Sequence, residues 1–500
     1  MMTFGRSVAM RSAVLALLVV ATVVAALVAA HGSPATTASA NVATSVPEAI
    51  GPMPPAAAPG DPSHDYTFYS TPMNLAKVGY QEQEYFIRGV ATRYSTTNPN
   101  VASPIGEMPY ETRIVVRRPT DPHRFGGVVV VDWQNVTAGN DIDTEWGGSG
   151  DFFVRHGWVW VGASVQRVGV NGATTGATAN RGLRQWSPSR YGSLDLTNGG
   201  TVLDDSQSYD VYTQIARLVR QGPSSGPNPF AGLDVRGVYA GGVSQSATFL
   251  IRYYNAIQAA ARAYDGFLVG LGGGVPRSDV RTKLMKVYTE TDVLLSQAAL
   301  RVPDSTTIRS WEVTGGSHVP ASAVSPDPTD FRATLGGIQT REYGPSAPVD
   351  CRNPGPSDVE VWAVFQAAYA ALDRWVTEGV PPASADPIEV ASLGPPVTLV
   401  RDANGIALGG IRLPKVTVPV ALNNGANGAA SLANPRSVFC VLYGTHAPFD
   451  QNKLASLYPA HGAYVSKVTK AVNDLVARRF LLKEDARTLL TDAAHSRYGK

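Results

Sequence analysis

Five hundred residues with 44% hydrophobic and 16% charged side chains describe a globular protein able to bury a large core. Its 42 basic and 40 acidic residues leave a net charge of +2, which argues against nucleic acid or another polyanion as the main partner. Two cysteines, with no C-x-x-C and no His/Cys ligand cluster, give a zinc site no support, and no cofactor is predicted.

In chain order, Arg6 and Arg11 precede an apolar run from Ala13 to Ala30, with small-residue exits at Val28-Ala29-Ala30 or Ala38-Ser39-Ala40. This predicts a signal peptide over residues 1–30 and a secreted or cell-envelope protein, although the run is also long enough for a retained anchor. Residues 31–63, rich in Ala, Pro, Ser and Thr, read as a flexible linker. Tyr80 to Tyr94 predicts a strand pair, and Thr112 to Arg117 a strand ended by Pro119; together they look like the antiparallel start of a sheet. Gly127 to Trp133 and Trp158 to Val165 are continuous apolar runs, the mark of strands buried on both faces, with a helix-like stretch from Gly150 to His156 before the second. Ser208 to Gln221 predicts a helix with Val211, Ile215, Leu218 and Val219 on one side.

A short β-prone run at Val235, Val238 and Tyr239 ends in Ala240-Gly241-Gly242, read as a tight turn. Ser244 follows, then a helix with Phe249, Leu250, Tyr253, Tyr254 and Ile257 on one stripe. Tyr264–Leu271, Lys283–Thr289 and Ile308–Val313 are further strand candidates, and residues 359–378 a long amphipathic helix. Buried strands alternating with helices predict an α/β fold, a mostly parallel sheet covered on both faces, over residues 64–385. The stretches 169–203 and 320–357 are too long for plain connections and read as cap insertions. Residues 386–500 form an extension packed on the core. In it Val397–Val400 and Val416–Leu422 flank a turn at Asp402-Ala403-Asn404-Gly405 as a hairpin, followed by helices around Val465–Val476 and Lys483–Ala494.

Strand, Gly turn, Ser, helix is the context in which G-x-S-x-small carries chemistry. Gly242 meets the steric need, and Ser246 stands where Gly is usual. Gly222-Pro223-Ser224-Ser225-Gly226 matches G-x-S-x-G letter for letter, but it sits in a Pro/Gly/Ser loop with no strand before it and is rejected. A Ser hydroxyl needs a general base, and the base an orienting carboxylate. After Ser244 the order Ser, acid, His is met by Asp292 or its rival Glu290, just past one strand, and by His318 in Gly315-Gly316-Ser317-His318, just past the next. His446 is the fallback base; His156, His461 and His495 lack that context. Oxyanion donors are expected from the N–H of Gln245 and from Asn135 or Val136 in the loop after Trp133. Asp132, Asn140 and Trp146 are candidates for shaping the pocket. In an exported chain Cys351 and Cys440 read as one disulfide, the alternative being two separate buried thiols.

The pieces VVVVDWQNVTAG, SRYGSL, GGVSQSA, VYTETD and WEVTGGSH, with GGIRLPKVTVPVA, VLYGTHAPFD and LYPAHGAYV in the tail, resemble the secreted alpha/beta hydrolase domain proteins over most of residues 65–495. The resemblance implies an α/β-hydrolase fold and serine-esterase chemistry carried by Ser244, His318 and Asp292 or Glu290, without naming a substrate. The function expected is therefore hydrolysis of a small-molecule or lipid-like carboxylic ester through an acyl-enzyme. The alternatives are an acyltransferase on the same residues and a catalytically silent binding protein.

Overall fold

The computed structural model describes residues 45–499 except 96 and 177. The expected signal peptide, and the first part of the expected linker, lie outside the described residues. The chain divides into two compact units, one of residues 45–284 and 325–345, the other of 285–324 and 346–499. The stretch from 386 onward thus shares its unit with residues on both sides of the insertion at 320–357.

The first unit is built on β1 (Glu48–Ile50), β2 (Tyr80–Tyr94), β3 (Pro104–Pro119), β4 (Val128–Trp133), β5 (Val159–Ala163), β6 (Gly237–Val243) and β7 (Gly266–Gly270). Their order across the sheet is β1-β2-β3-β5-β4-β6-β7. Pairing is antiparallel from β1 to β5 and parallel from β5 to β7. Residues 80–94 form one strand rather than a pair: Gly89 stays in register opposite Tyr110, so no turn breaks the segment. Part of the expected linker is also strand, because Glu48–Ile50 pairs with Arg88–Phe86 and buries Ala49. Composition missed this, since a three-residue edge strand carries too little periodicity to read.

Three helices cover the two faces of the parallel half: α1 (Thr144–Arg155), α2 (Ser208–Gln221) and α3 (Gln245–Ala256). Register assigns their sides. Trp160 lies opposite Val130 and Trp133 opposite Ala163, so the two tryptophans point to opposite faces. Trp160 meets Trp146 of α1. Trp133 meets Tyr212 of α2 and Phe249 of α3.

Buried charges tie the antiparallel start to the loop after β4. Arg113, fully buried on β3, pairs with Glu84 at 3.0 Å and Asp141 at 3.6 Å. Arg117 pairs with Glu82 at 2.8 Å and lies over the rings of Trp160 and Trp146. Removing one partner would strand a buried charge, which is far costlier than the pair is stabilising.

The second unit begins within β8 (Lys283–Thr289), whose neighbour is β9 (Ile308–Val313). It also holds α4 (Glu290–Leu295), α5 (Val361–Thr377), α6 (His461–Ala477) and α7 (Lys483–His495). Val293 and Ala298 share an apolar cluster with Ile388, Leu399 and Ala407, so the last hundred residues complete a core rather than append to one. Cys351 and Cys440 are bonded, closing a loop across 89 residues.

The tail hairpin differs from its expected form. The turn at Asp402–Gly405 is present, with the Gly405 N–H on Asp402 O, but the returning chain is Ile406–Leu408. Residues 398–399 (β11) pair back to β10 (Val390–Ser392). Residues 414–417 form a helical turn, and β12 (Ala421–Asn424) pairs with β13 (Thr445–Pro448). Pro414 explains the break, because it sets a helical φ and removes a ladder donor.

Candidate active site

In the first unit β6 runs straight through Gly241 and Gly242 to Val243, so the glycines are strand and the reversal falls on Ser244 itself. Ser244 has φ 62° and ψ −121° and is the N-cap of α3. A side-chain-bearing residue holds such a backbone only where its surroundings force it. Here the Ser244 N–H donates to Gly270 O at 2.9 Å. The Ser246 hydroxyl donates to Val243 O at 2.8 Å and accepts from Val243 N at 3.1 Å. Ser246, the departure from the usual Gly, is small enough for the turn and also clamps it. A Cβ on Gly242 would stand 3.3 Å from Leu250 and 3.4 Å from the Ser246 hydroxyl, so a larger residue there would need Leu250 to give by a few tenths of an ångström.

The loop after β4 is fixed from several sides. Asn135 Nδ2 donates to Val243 O at 3.1 Å, and the Val136 N–H faces Gln245 Oε1 at 3.4 Å. Trp133 Nε1 donates to Gln166 at 3.1 Å. The loop is therefore bound to both ends of the β6–α3 reversal. Sequence reasoning singled out Gln245 only for its backbone N–H; a side-chain role leaves no signature in spacing.

Of the other candidates, Trp146 donates to Thr71 at 2.9 Å and stacks on Arg117, a packing role. Asn140 accepts from Gln339 at 3.1 Å and donates to Asp141 O at 2.8 Å. Asp132 is buried; burial first, then the nearby carboxylates of Glu145 and Asp143, push its pKa well above the usual range. The rejected Ser224 lies in an exposed loop whose backbone N–H bonds Pro47 O, holding the segment that forms β1.

In the second unit His318 Nδ1 lies 2.6 Å from Asp292 Oδ1. Asp292 is the third residue of α4, and its other oxygen accepts from Thr289 N at 2.7 Å and Thr289 Oγ1 at 2.6 Å. This is a capping box, and it pins the carboxylate so that Oδ1 faces the ring. Because an ionised carboxylate only accepts, Nδ1 carries the proton. Glu290, two residues earlier, points elsewhere: it accepts from Gly315 N at 2.8 Å and from Arg401 at 2.7 Å. It supports the loop that carries the histidine. Gly315 sits at φ 74°, where a Cβ would also come within 2.8 Å of Val416.

His446 makes a second carboxylate pair, at 3.0 Å from Asp358 Oδ1, and shares Nδ1 with Asn423. Both ring nitrogens of His461 face backbone carbonyls, of Tyr498 and Ala494, a structural arrangement. Among the described residues no helix is long and apolar enough to cross a membrane.

A strand-to-helix reversal on a serine, in a parallel α/β sheet and followed by two strands bearing an acid and a histidine, defines the α/β-hydrolase fold. The family model described as alpha/beta hydrolase domain matches residues 50–491, and the chain belongs to that family. No curated protein matches it. Among solved structures it is similar to a protein from Bacteroides fragilis described as an acetyl xylan esterase (10% identity, TM-score 0.24, 47% of this chain), of whose length it spans 66%. It is also similar to XC6422 of Xanthomonas campestris, described as an a/b serine hydrolase without lid (13% identity, TM-score 0.24, 52% of this chain and 97% of that one). A cold-adapted esterase from an Arctic intertidal metagenomic library is a third (12% identity, TM-score 0.24, 53% and 95%). At these TM-scores the family match alone carries the assignment.

Proposed function

We propose that the protein is an exported serine hydrolase that cleaves carboxylic esters through an acyl-enzyme. The observation that carries the reading is the positive-φ backbone of Ser244 between β6 and α3, a geometry that a residue with a side chain adopts only at a cost. His318, oriented by Asp292, takes the Ser244 hydroxyl proton on Nε2 as the serine oxygen attacks the ester carbonyl. The N–H of Gln245, at the start of α3, and that of Asn135 or Val136 receive the oxyanion once the Gln245 side chain gives way. The tetrahedral adduct collapses, the imidazolium returns its proton to the leaving alcohol, and water repeats the sequence to release the acid. Export is supported by the apolar N-terminal sequence and by the Cys351–Cys440 bond, which is at home in an oxidising compartment. The test is Ser244→Ala: hydrolysis of p-nitrophenyl esters and labelling by a fluorophosphonate probe should both vanish. A variant as active as the parent would overturn the assignment.

A further inference from the structure

His318 stands in a short loop after β9, and one residue far along the chain holds that loop on both sides of the ring. The Ser357 hydroxyl donates to Gly315 O, ahead of His318, at 2.6 Å. The N–H of Ala321, beyond His318, donates to Ser357 O at 3.2 Å. Ser357 lies 42 residues after Gly315, at the end of the stretch expected as a cap, and spacing alone gave it no role.

Ser357 is itself fixed. It is 0% exposed, and its N–H donates to Tyr443 O at 2.8 Å. The adjoining carbonyl, of Leu442, takes the Val319 N–H at 2.9 Å. The Ser357 oxygen accepts from the Val359 N–H at 3.4 Å. A hydroxyl has one proton to give. Asn423 Oδ1, the other acceptor in reach, is 3.5 Å away, so the proton belongs to Gly315 O at the shorter distance. Gly315 is then gripped twice by buried side chains, at its N–H by Glu290 and at its carbonyl by Ser357. The grip matters at this residue because a glycine at positive φ has the freest backbone of any. Misplacing a reacting group by about 1 Å can cost about 100-fold in rate.

We propose that Ser357 is a positioning residue for His318, its hydroxyl on Gly315 setting where the imidazole stands against Asp292. The proposal rests on the reading of His318 as the base. Every residue named lies in the second unit. A side-chain substitution isolates the effect, because the Ala321 bond is made by the Ser357 main chain and stays.

The test is Ser357→Ala and Ser357→Thr in the full chain, each measured where melting curves show it fully folded. One reading is kcat and KM on p-nitrophenyl butyrate. The other is the far-downfield proton NMR signal of His318 Nδ1–H on Asp292, identified by its loss in His318→Ala. Ser357→Ala should lower kcat about tenfold with KM within about twofold, and shift or broaden the signal. Ser357→Thr, which keeps the hydroxyl, should restore both. If either variant does not fold, Ser357→Cys, a weaker donor of similar size, should lower kcat severalfold and move the signal the same way. A parent-like kcat or a parent-like signal in the alanine or cysteine variant would overturn the proposal. So would a rise in KM alone, or a folded threonine variant no better than alanine. If the parent hydrolyses no ester, the reading of the function fails, and the proton signal by itself decides whether Ser357 sets the ring.

Discussion

Two histidines in the second unit each face an aspartate, and the two carboxylates differ in what else holds them. Asp292 is 3% exposed, and its second oxygen is held by the neutral N–H and O–H of Thr289. Asp358 is 33% exposed, and Lys415 stands 3.0 Å from its second oxygen. Burial alone would raise the Asp358 pKa; hydrogen bonding from His446 and the charge of Lys415 reverse this and hold it at about 2. A lysine thus already compensates Asp358, and its field at His446 is divided. Asp292 faces His318 from a drier setting, with the neutral groups of Thr289 on its other oxygen.

Substitutions can break or sharpen that contrast. His318→Ala should lower kcat/KM on p-nitrophenyl esters by about 10⁴-fold or more. His446→Ala should stay within about twofold, as a group outside the chemistry would; equal losses would erase the distinction. Asp292→Asn, which keeps the shape but turns an amide toward either Thr289 or His318, should cost about 10³-fold in kcat with little change in KM. Glu290→Gln should leave Arg401 short of its charge partner. It should lower kcat about tenfold and unfolding stability by about 1–3 kcal/mol, read from rate and urea curves on one preparation. Cys440→Ser should cost about 2–4 kcal/mol without changing kcat below the new melting range.

The smallest effect concerns pH. Asp358 has a depressed pKa in the folded state, so it stabilises the fold above the ordinary aspartate range and that contribution is lost as pH falls toward about 2. Asp358→Asn should flatten stability between about pH 4 and about pH 2. An unchanged acid limb in Asp358→Asn would show that Lys415 does not engage Asp358 in solution.

Much of this was legible from residue order. The continuous apolar runs at 128–133 and 159–163 are strands because a strand buried on both faces needs no alternation. The same holds for the helices at 208–221 and 361–377, whose stripes recur at helical spacing. Short-range chemistry also spoke early: a serine between a strand and a helix, and a histidine after two glycines, need only local context. The glycines before Ser244 misled, because Gly241 and Gly242 are equally at home in a strand where a helix packs close.

Other features belonged to the tertiary structure. Asp292 and Glu290 are two residues apart, and a helix turns such neighbours to different sides; only the paths of the 315–318 loop and of Arg401 settle which one meets the ring. Strand partners in the tail, the clamp of Ser246 on Val243 and the hold of Ser357 on Gly315 all join residues by position in space. The sequence by itself determined which segments are strand or helix and which residue types stand at their ends, because periodicity and turn chemistry are local. Only the fold decided which of those ends meet, because that choice is made by burial and hydrogen-bond satisfaction among segments a hundred residues apart.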